Sequence, residues 1–149
     1  MKRLPGNAFD RAAHDVFRSV PVRNTAFVSA LAAVLVLSLL PRAAVDATFS
    51  PEVQARDHAF HAFAYASLVA LFLAARVQRE AANAAVRTAA FAAFTLLGGV
   101  LELLQATSFV NRSASWGDAA HNAAGAAVGA LLPTILLLPR ISPKSDVPT

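Results

Sequence analysis

The sequence predicts an all-α integral membrane protein of four transmembrane helices, and three observations carry that prediction. First, 56% of the 149 residues are hydrophobic and only 15% are charged, with a mean hydropathy of +0.52. Soluble domains carry roughly a quarter charged residues. Second, four apolar runs of near-bilayer length alternate with short polar segments. Third, the basic residues are unevenly shared. With the N-terminus placed in the cytoplasm, ten of the thirteen Lys and Arg fall in inner segments, as cytoplasmic loops require. That count predicts four spans, N-in and C-in. A three-span arrangement, with one run at the interface, is the alternative. The net charge of +4 follows from the same bias, so no nucleic-acid partner is expected. The absence of cysteine excludes disulfides and thiolate metal sites.

The elements follow in order. Residues 1–24 form a cytoplasmic segment with Lys2, Arg3, Arg11, Arg18 and Arg23. Phe9, Ala13, Val16, Phe17 and Val20 recur at helical spacing, which predicts an amphipathic helix on the membrane surface. A disordered arm is the competing reading. The membrane domain is 25–138. Its first span is Thr25–Leu40, stopped by Pro41, with Val20 and Val22 able to extend it. A cleaved signal peptide competes here, but its basic start would be unusually long and three more spans follow.

Pro41–Arg56 reads as a loop. Ser50-Pro51-Glu52 reads as a helix start, with Ser50 as cap and Pro51 in the first turn. The second span then runs from about Pro51 to Arg76, with Ala59–Ala75 its most apolar part. A loop with Arg76, Arg79 and Arg87 leads to the third span, Thr88–Leu104. Gly98-Gly99 within it permits close helix approach. A second loop carries Asn111, Arg112 and an interfacial Trp116. The fourth span is Ala119–Leu138, with Asp118 as its cap. Gly125 and Gly129 form a small-xxx-small face for a partner helix, and Pro133 introduces a kink. Residues 139–149 form a Pro- and Ser-rich cytoplasmic tail.

This topology gathers the polar residues at one membrane face. Asp57, His58 and His61 lie at the outer end of span two. Glu102 and Gln105 lie at the outer end of span three. Arg112 lies in the outer loop, and Asp118, His121 and Asn122 open span four. Asp57, His61 and Tyr65 step by four, so they share one helix face. A carboxylate such as Glu102 costs a few kcal/mol or more inside a membrane helix, so it requires partners or a task.

Three readings of the cluster stand. In the structural one, Glu102 pairs with Arg112, Asp118 caps its helix, and the histidines and Asn122 bond across helices. In the second, the cluster binds a polar head group through Asp57, His58, His61, Tyr65, Glu102, Gln105, Arg112, Asp118 and Asn122. Arg112 suits a phosphate or carboxylate. Asp57, His61, Glu102 and Asp118 are the candidates for acid and base work, which leaves catalysis open. In the third, a metal sits on histidines 58, 61 or 121 with nearby carboxylates. No His-Glu-x-x-His is present, and neither a metal nor a cofactor is expected.

The run Asp57-His58-Ala59-Phe60-His61-Ala62-Phe63-Ala64-Tyr65-Ala66-Ser67-Leu68 resembles the Asp-Lys-x-x-His-x-x-x-Tyr-x-x-Leu block of the VanZ-like membrane proteins. Glu102-x-x-Gln105, then Arg112, Asp118, Asn122, Gly125 and Gly129, resemble that family's second block. Together the blocks cover about residues 57–132. Where the family carries Lys, this chain has His58, which holds no fixed positive charge at neutral pH. The resemblance implies a multi-pass protein of the bacterial plasma membrane with its motif residues at the outer face. It implies a role in cell-envelope processes or resistance to teicoplanin-type glycopeptides. The partner expected is a membrane lipid or lipid-linked envelope intermediate. A lipid-modifying enzyme and a structural subunit without its own chemistry remain as alternatives.

Overall fold

Four long helices run alternately up and down, and two short ones connect the first long helix to the second. The computed structural model describes residues 20–76 and 83–137. The expected surface helix before Val20 and the tail after Leu137 lie outside them, as does the centre of the loop after Arg76. Among the described residues the secondary structure is entirely helical. The elements are α1 (Val20–Ser38), α2 (Arg42–Thr48), α3 (Pro51–Gln54), α4 (Asp57–Ala75), α5 (Ala84–Gln105) and α6 (Trp116–Leu137).

Three of these helices are long and apolar enough to cross a membrane: Pro21–Ser38, Asp57–Ala75 and Ala84–Gln105. Their outer surfaces fit a lipid solvent. Phe63, Leu96 and Leu103 are each about 70% exposed, and Val36 61%. Large apolar side chains exposed on all three helices suit contact with lipid rather than water. The fourth long helix, α6, has the same 22-residue length as α5, but its first two turns hold Asp118, His121 and Asn122.

Helix α1 is described from Val20, so the boundary expected between residues 24 and 25 falls inside it. The Pro21 carbonyl accepts a bond from Thr25 Oγ1 at 3.0 Å. Helix α5 starts four residues earlier than Thr88. Asn83 is its cap, with the side-chain oxygen accepting from the Ala85 N–H at 2.8 Å.

The largest correction concerns residues 41–56. They form two short helices rather than a loop, and the helix opened at Pro51 does not continue into α4. It breaks at Ala55-Arg56, where Arg56 takes φ −101° and ψ 15°. Side-chain bonds tie the two short helices together. Arg42 donates to Asp46 Oδ2 at 3.0 Å and to Gln54 Oε1 at 3.4 Å, and Gln54 donates to the Phe49 carbonyl at 3.0 Å.

The core is made by Tyr65, Leu68, Val69 and Leu73 of α4, Ala90 and Phe94 of α5, and Ala126 and Ala130 of α6. Phe27, Phe72 and Phe94 meet edge to face, with centroids 5.4–6.2 Å apart, the arrangement that ring quadrupoles favour. Helices α4 and α6 run parallel and make the most extensive contact. Gly125 lies against the Ala62 carbonyl and Gly129 against the Ala66 carbonyl. The small-residue face of α6 is therefore filled by α4 of the same chain. This contact sets the register that brings residues 57–61 beside residues 118–122.

Candidate functional site

The polar side chains converge where α4 begins, α5 ends and α6 begins. The parallel register of α4 and α6 pairs them step by step. His58 Nδ1 donates to Asp118 Oδ1 at 2.6 Å. One turn deeper, His61 Nδ1 donates to Asn122 Oδ1 at 2.9 Å. The other ring nitrogen of His61 stands 3.6 Å from Asp57 Oδ1, beyond hydrogen-bond reach. Asp57 Oδ2 accepts from Arg112 at 3.4 Å.

Arg112 reaches Asp57 because its loop is held firmly. Asn111 takes φ 53°, a left-handed conformation that Asn tolerates better than most residues. Its N–H donates to the Thr107 carbonyl, and the Arg112 N–H donates to the Gln105 carbonyl at 3.0 Å. The Arg42 N–H donates to the Val110 carbonyl at 3.0 Å, which ties the start of α2 to the same loop.

The pairing expected between Glu102 and Arg112 is not formed. Glu102 Oε2 instead accepts the Ser115 N–H at 3.1 Å. Ser115 Oγ in turn accepts the Asp118 N–H at 3.2 Å. Ser115 is thus the cap of α6, and Asp118 stands at the third helical position rather than at the cap. In a capping box the helix's own acidic residue bonds back to the cap N–H. Here a carboxylate from α5 takes that part, which frees Asp118 for His58. Sequence reasoning missed Ser115, although Ser115-x-x-Asp118 is a readable capping signature.

The expected site residues differ in burial. Tyr65 and Asn122 are both 1% exposed. Both lie against Gly98, where a Cβ would meet Asn122 Cβ at 2.9 Å and Tyr65 Cε1 at 3.2 Å. Gly99 has open space instead, so only one of the two glycines serves close approach. Glu102, Gln105 and Asp118 are buried as well, whereas the His58 side chain is 58% exposed. The Tyr65 hydroxyl, Glu102 Oε1 and Gln105 Nε2 are buried without a hydrogen-bond partner among the described residues. Such atoms are costly in a low-dielectric interior.

The three histidines weighed as metal ligands do not converge. His58 and His121 stack at the rim, 4.7 Å apart and 10° from parallel, and His121 Nδ1 donates to the Gly117 carbonyl at 2.7 Å. Only His61 faces inward. It joins Asp57 and Asp118 in a set whose ligand atoms all lie within 4.8 Å of one another.

Beside this cluster lies a groove of about 400 Å³. Its polar end holds Asp57, His61, Tyr65 and Arg112, and Arg42 and Gln54 line the flank made by α2 and α3. Val34 and Leu37 of α1 and Phe60 and Phe63 of α4 form apolar walls. Neither Arg42 nor Gln54 was expected at a site, because the segment that carries them read as a loop.

No protein-family model, curated protein or solved structure matches the chain. Geometry and chemistry therefore carry the functional argument. The arrangement offers hydrogen-bond donors and acceptors, three carboxyls, the guanidiniums of Arg112 and Arg42, and an apolar trough beside them.

Proposed function

We propose that this chain is a VanZ-like protein of the bacterial plasma membrane, crossing it four times with both termini inside. In this reading the polar end of the bundle faces outward and holds the head group of a membrane lipid or lipid-linked envelope intermediate. Its biological role is in cell-envelope processes, glycopeptide resistance of the teicoplanin type included.

The observation that carries the proposal is the groove. Its apolar walls and polar end match the two halves of an amphiphile, and its volume lies within the range of small-molecule sites. Arg112, 15% exposed, is held beside Asp57 at 3.4 Å, a bond long enough for a phosphate to compete for the guanidinium. The alternating helix directions and the length of α6 support four crossings. The distribution of Lys and Arg supports the orientation.

The test is native mass spectrometry of the protein purified in mild detergent, wild type beside Arg112→Ala. The expected result is a specific phospho- or glycolipid retained by wild type and lost from the variant. Identical spectra with bulk lipid alone would overturn the head-group reading.

One observation favours a second reading, an enzyme acting on a phosphorylated or glycosylated lipid. Glu102 is 4% exposed and its Oε1 has no partner, so a carboxyl oxygen is available within the cluster. Glu102→Gln keeps the shape and the bond to Ser115 but removes the acid. Loss of function in that variant with lipid retention intact would favour turnover over binding alone.

A further inference from the structure

We propose that Asp57 Oδ1, His61 Nε2 and an oxygen of Asp118 form a binding site for one divalent transition ion of the zinc or manganese type. The proposal stands apart from the head-group reading, since it needs no lipid.

The first observation is the placement of His61. Its Nδ1 donates to the side-chain carbonyl of Asn122 at 2.9 Å. In the neutral ring this leaves Nε2 with a bare lone pair. In that tautomer the lone pair faces Asp57 Oδ1 at 3.6 Å, a gap too long for a hydrogen bond. An ion with bonds of about 2.0–2.2 Å to imidazole nitrogen and carboxylate oxygen separates its ligands by about 3.4 Å at a tetrahedral angle. The observed gap fits that spacing. Metal-bound histidines commonly donate their second N–H to a carbonyl or carboxylate, which fixes the ring and its tautomer. Asn122, 1% exposed and packed against Gly98, has that position.

The second observation is charge. Three carboxyls, Asp57, Glu102 and Asp118, share the cluster with the single guanidinium of Arg112. Arg112 takes Asp57 Oδ2 and leaves Oδ1 toward His61. With Asp118 bonded to the His58 ring and Glu102 to the Ser115 N–H, two carboxyls still have no permanently cationic partner at the edge of a low-dielectric bundle, where unbalanced charge is expensive. A divalent cation balances them. Glu102 Oε1, buried and unpartnered, is a further acceptor in the cluster for an ion-bound water. The donor set of one imidazole and two carboxylates suits Zn2+ or Mn2+, and imidazole disfavours Ca2+ and Mg2+.

The experiment uses the full chain in detergent, stripped with a chelator and then titrated with Zn2+ or Mn2+ alone. Calorimetry reads affinity, and elemental analysis after desalting reads stoichiometry. One ion per chain is expected. Asn122→Ala should weaken binding roughly 10- to 100-fold, and His61→Ala and Asp118→Asn should weaken it further. His121→Ala should leave it unchanged. Asp118→Asn keeps the shape of the first turn of α6, so it reports even if His61→Ala does not fold. No stoichiometric ion, or equal affinity in wild type and Asp118→Asn, would overturn the site. Imidazole 15N spectra of the stripped protein give an independent measure. A bare His61 Nε2 that shifts on adding Zn2+ is expected, and a protonated Nε2 that ignores the ion would refute the proposal. Lipid loss in Arg112→Ala with ion binding intact would separate this site from the head-group reading.

Discussion

Ser115 shows how one residue can join two elements through different atoms. Its hydroxyl caps α6 by accepting the Asp118 N–H, and its backbone N–H serves Glu102 of α5. These atoms respond differently to substitution. Ser115→Ala removes only the cap and should cost about 1 kcal/mol. Glu102→Ala leaves a half-buried N–H without its acceptor and should cost about 1–3 kcal/mol. Thermal unfolding in detergent, read by helical circular dichroism, should rank the variants in that order. Equal losses would mean that the Glu102 bond contributes nothing of its own. At this scale the sequence was half legible. The residues of the cluster could be named because polar groups in apolar helices stand out. Their pairing could not, because it depends on the loop path. The left-handed turn at Asn111 carries Arg112 back to Asp57 rather than to Glu102, its expected mate.

At the scale of elements, α1, α4, α5 and α6 were legible because each is a continuous apolar run, with starts displaced by up to six residues. The break between α3 and α4 was not. Residues 51–76 contain no Gly, and Pro51 is their only Pro, so local signals favour one unbroken helix. The folded chain nonetheless turns at Ala55-Arg56, beside the bonds that join Arg42, Phe49 and Gln54. The glycine face of α6 was read correctly as a close-approach surface, and its partner is now identified as α4. With no hydrophobic drive between helices in lipid, such contacts depend on tight packing. A Cβ at Gly125 would collide with the backbone of Ala62, whereas one at Gly99 meets nothing within 4 Å. Gly125→Ala should therefore push α4 and α6 apart and cost about 1–3 kcal/mol, as overpacking does. It should also weaken the His61–Asn122 pairing one turn away. Gly99→Ala should be neutral or stabilising by up to about 1 kcal/mol, since alanine is the better helix former. Unfolding midpoints for both variants give the comparison, and equal midpoints would remove Gly125 as the closest-packed point.

At the scale of the whole molecule, the proposed crossings can be read from which helix ends a reagent reaches. Helix directions alternate, so the loop after α5 and the start of α5 lie at opposite ends. The chain has no cysteine, so single cysteines can be placed without removing any. Phe109, 81% exposed, marks the polar end, and exposed Asn83 marks the opposite end. The proposed orientation predicts that a membrane-impermeant maleimide applied to spheroplasts labels Phe109→Cys and leaves Asn83→Cys untouched. Labelling of both would mean that α5 does not cross, and the reverse pattern would invert the protein. Thr149→Cys decides the fourth crossing. Its protection requires α6 to traverse the bilayer despite Asp118, His121 and Asn122 in its first turns. That is affordable only if those groups are satisfied by α4, as the His58–Asp118 and His61–Asn122 pairs indicate. Labelling of Thr149→Cys would leave three crossings, with α6 at the outer interface.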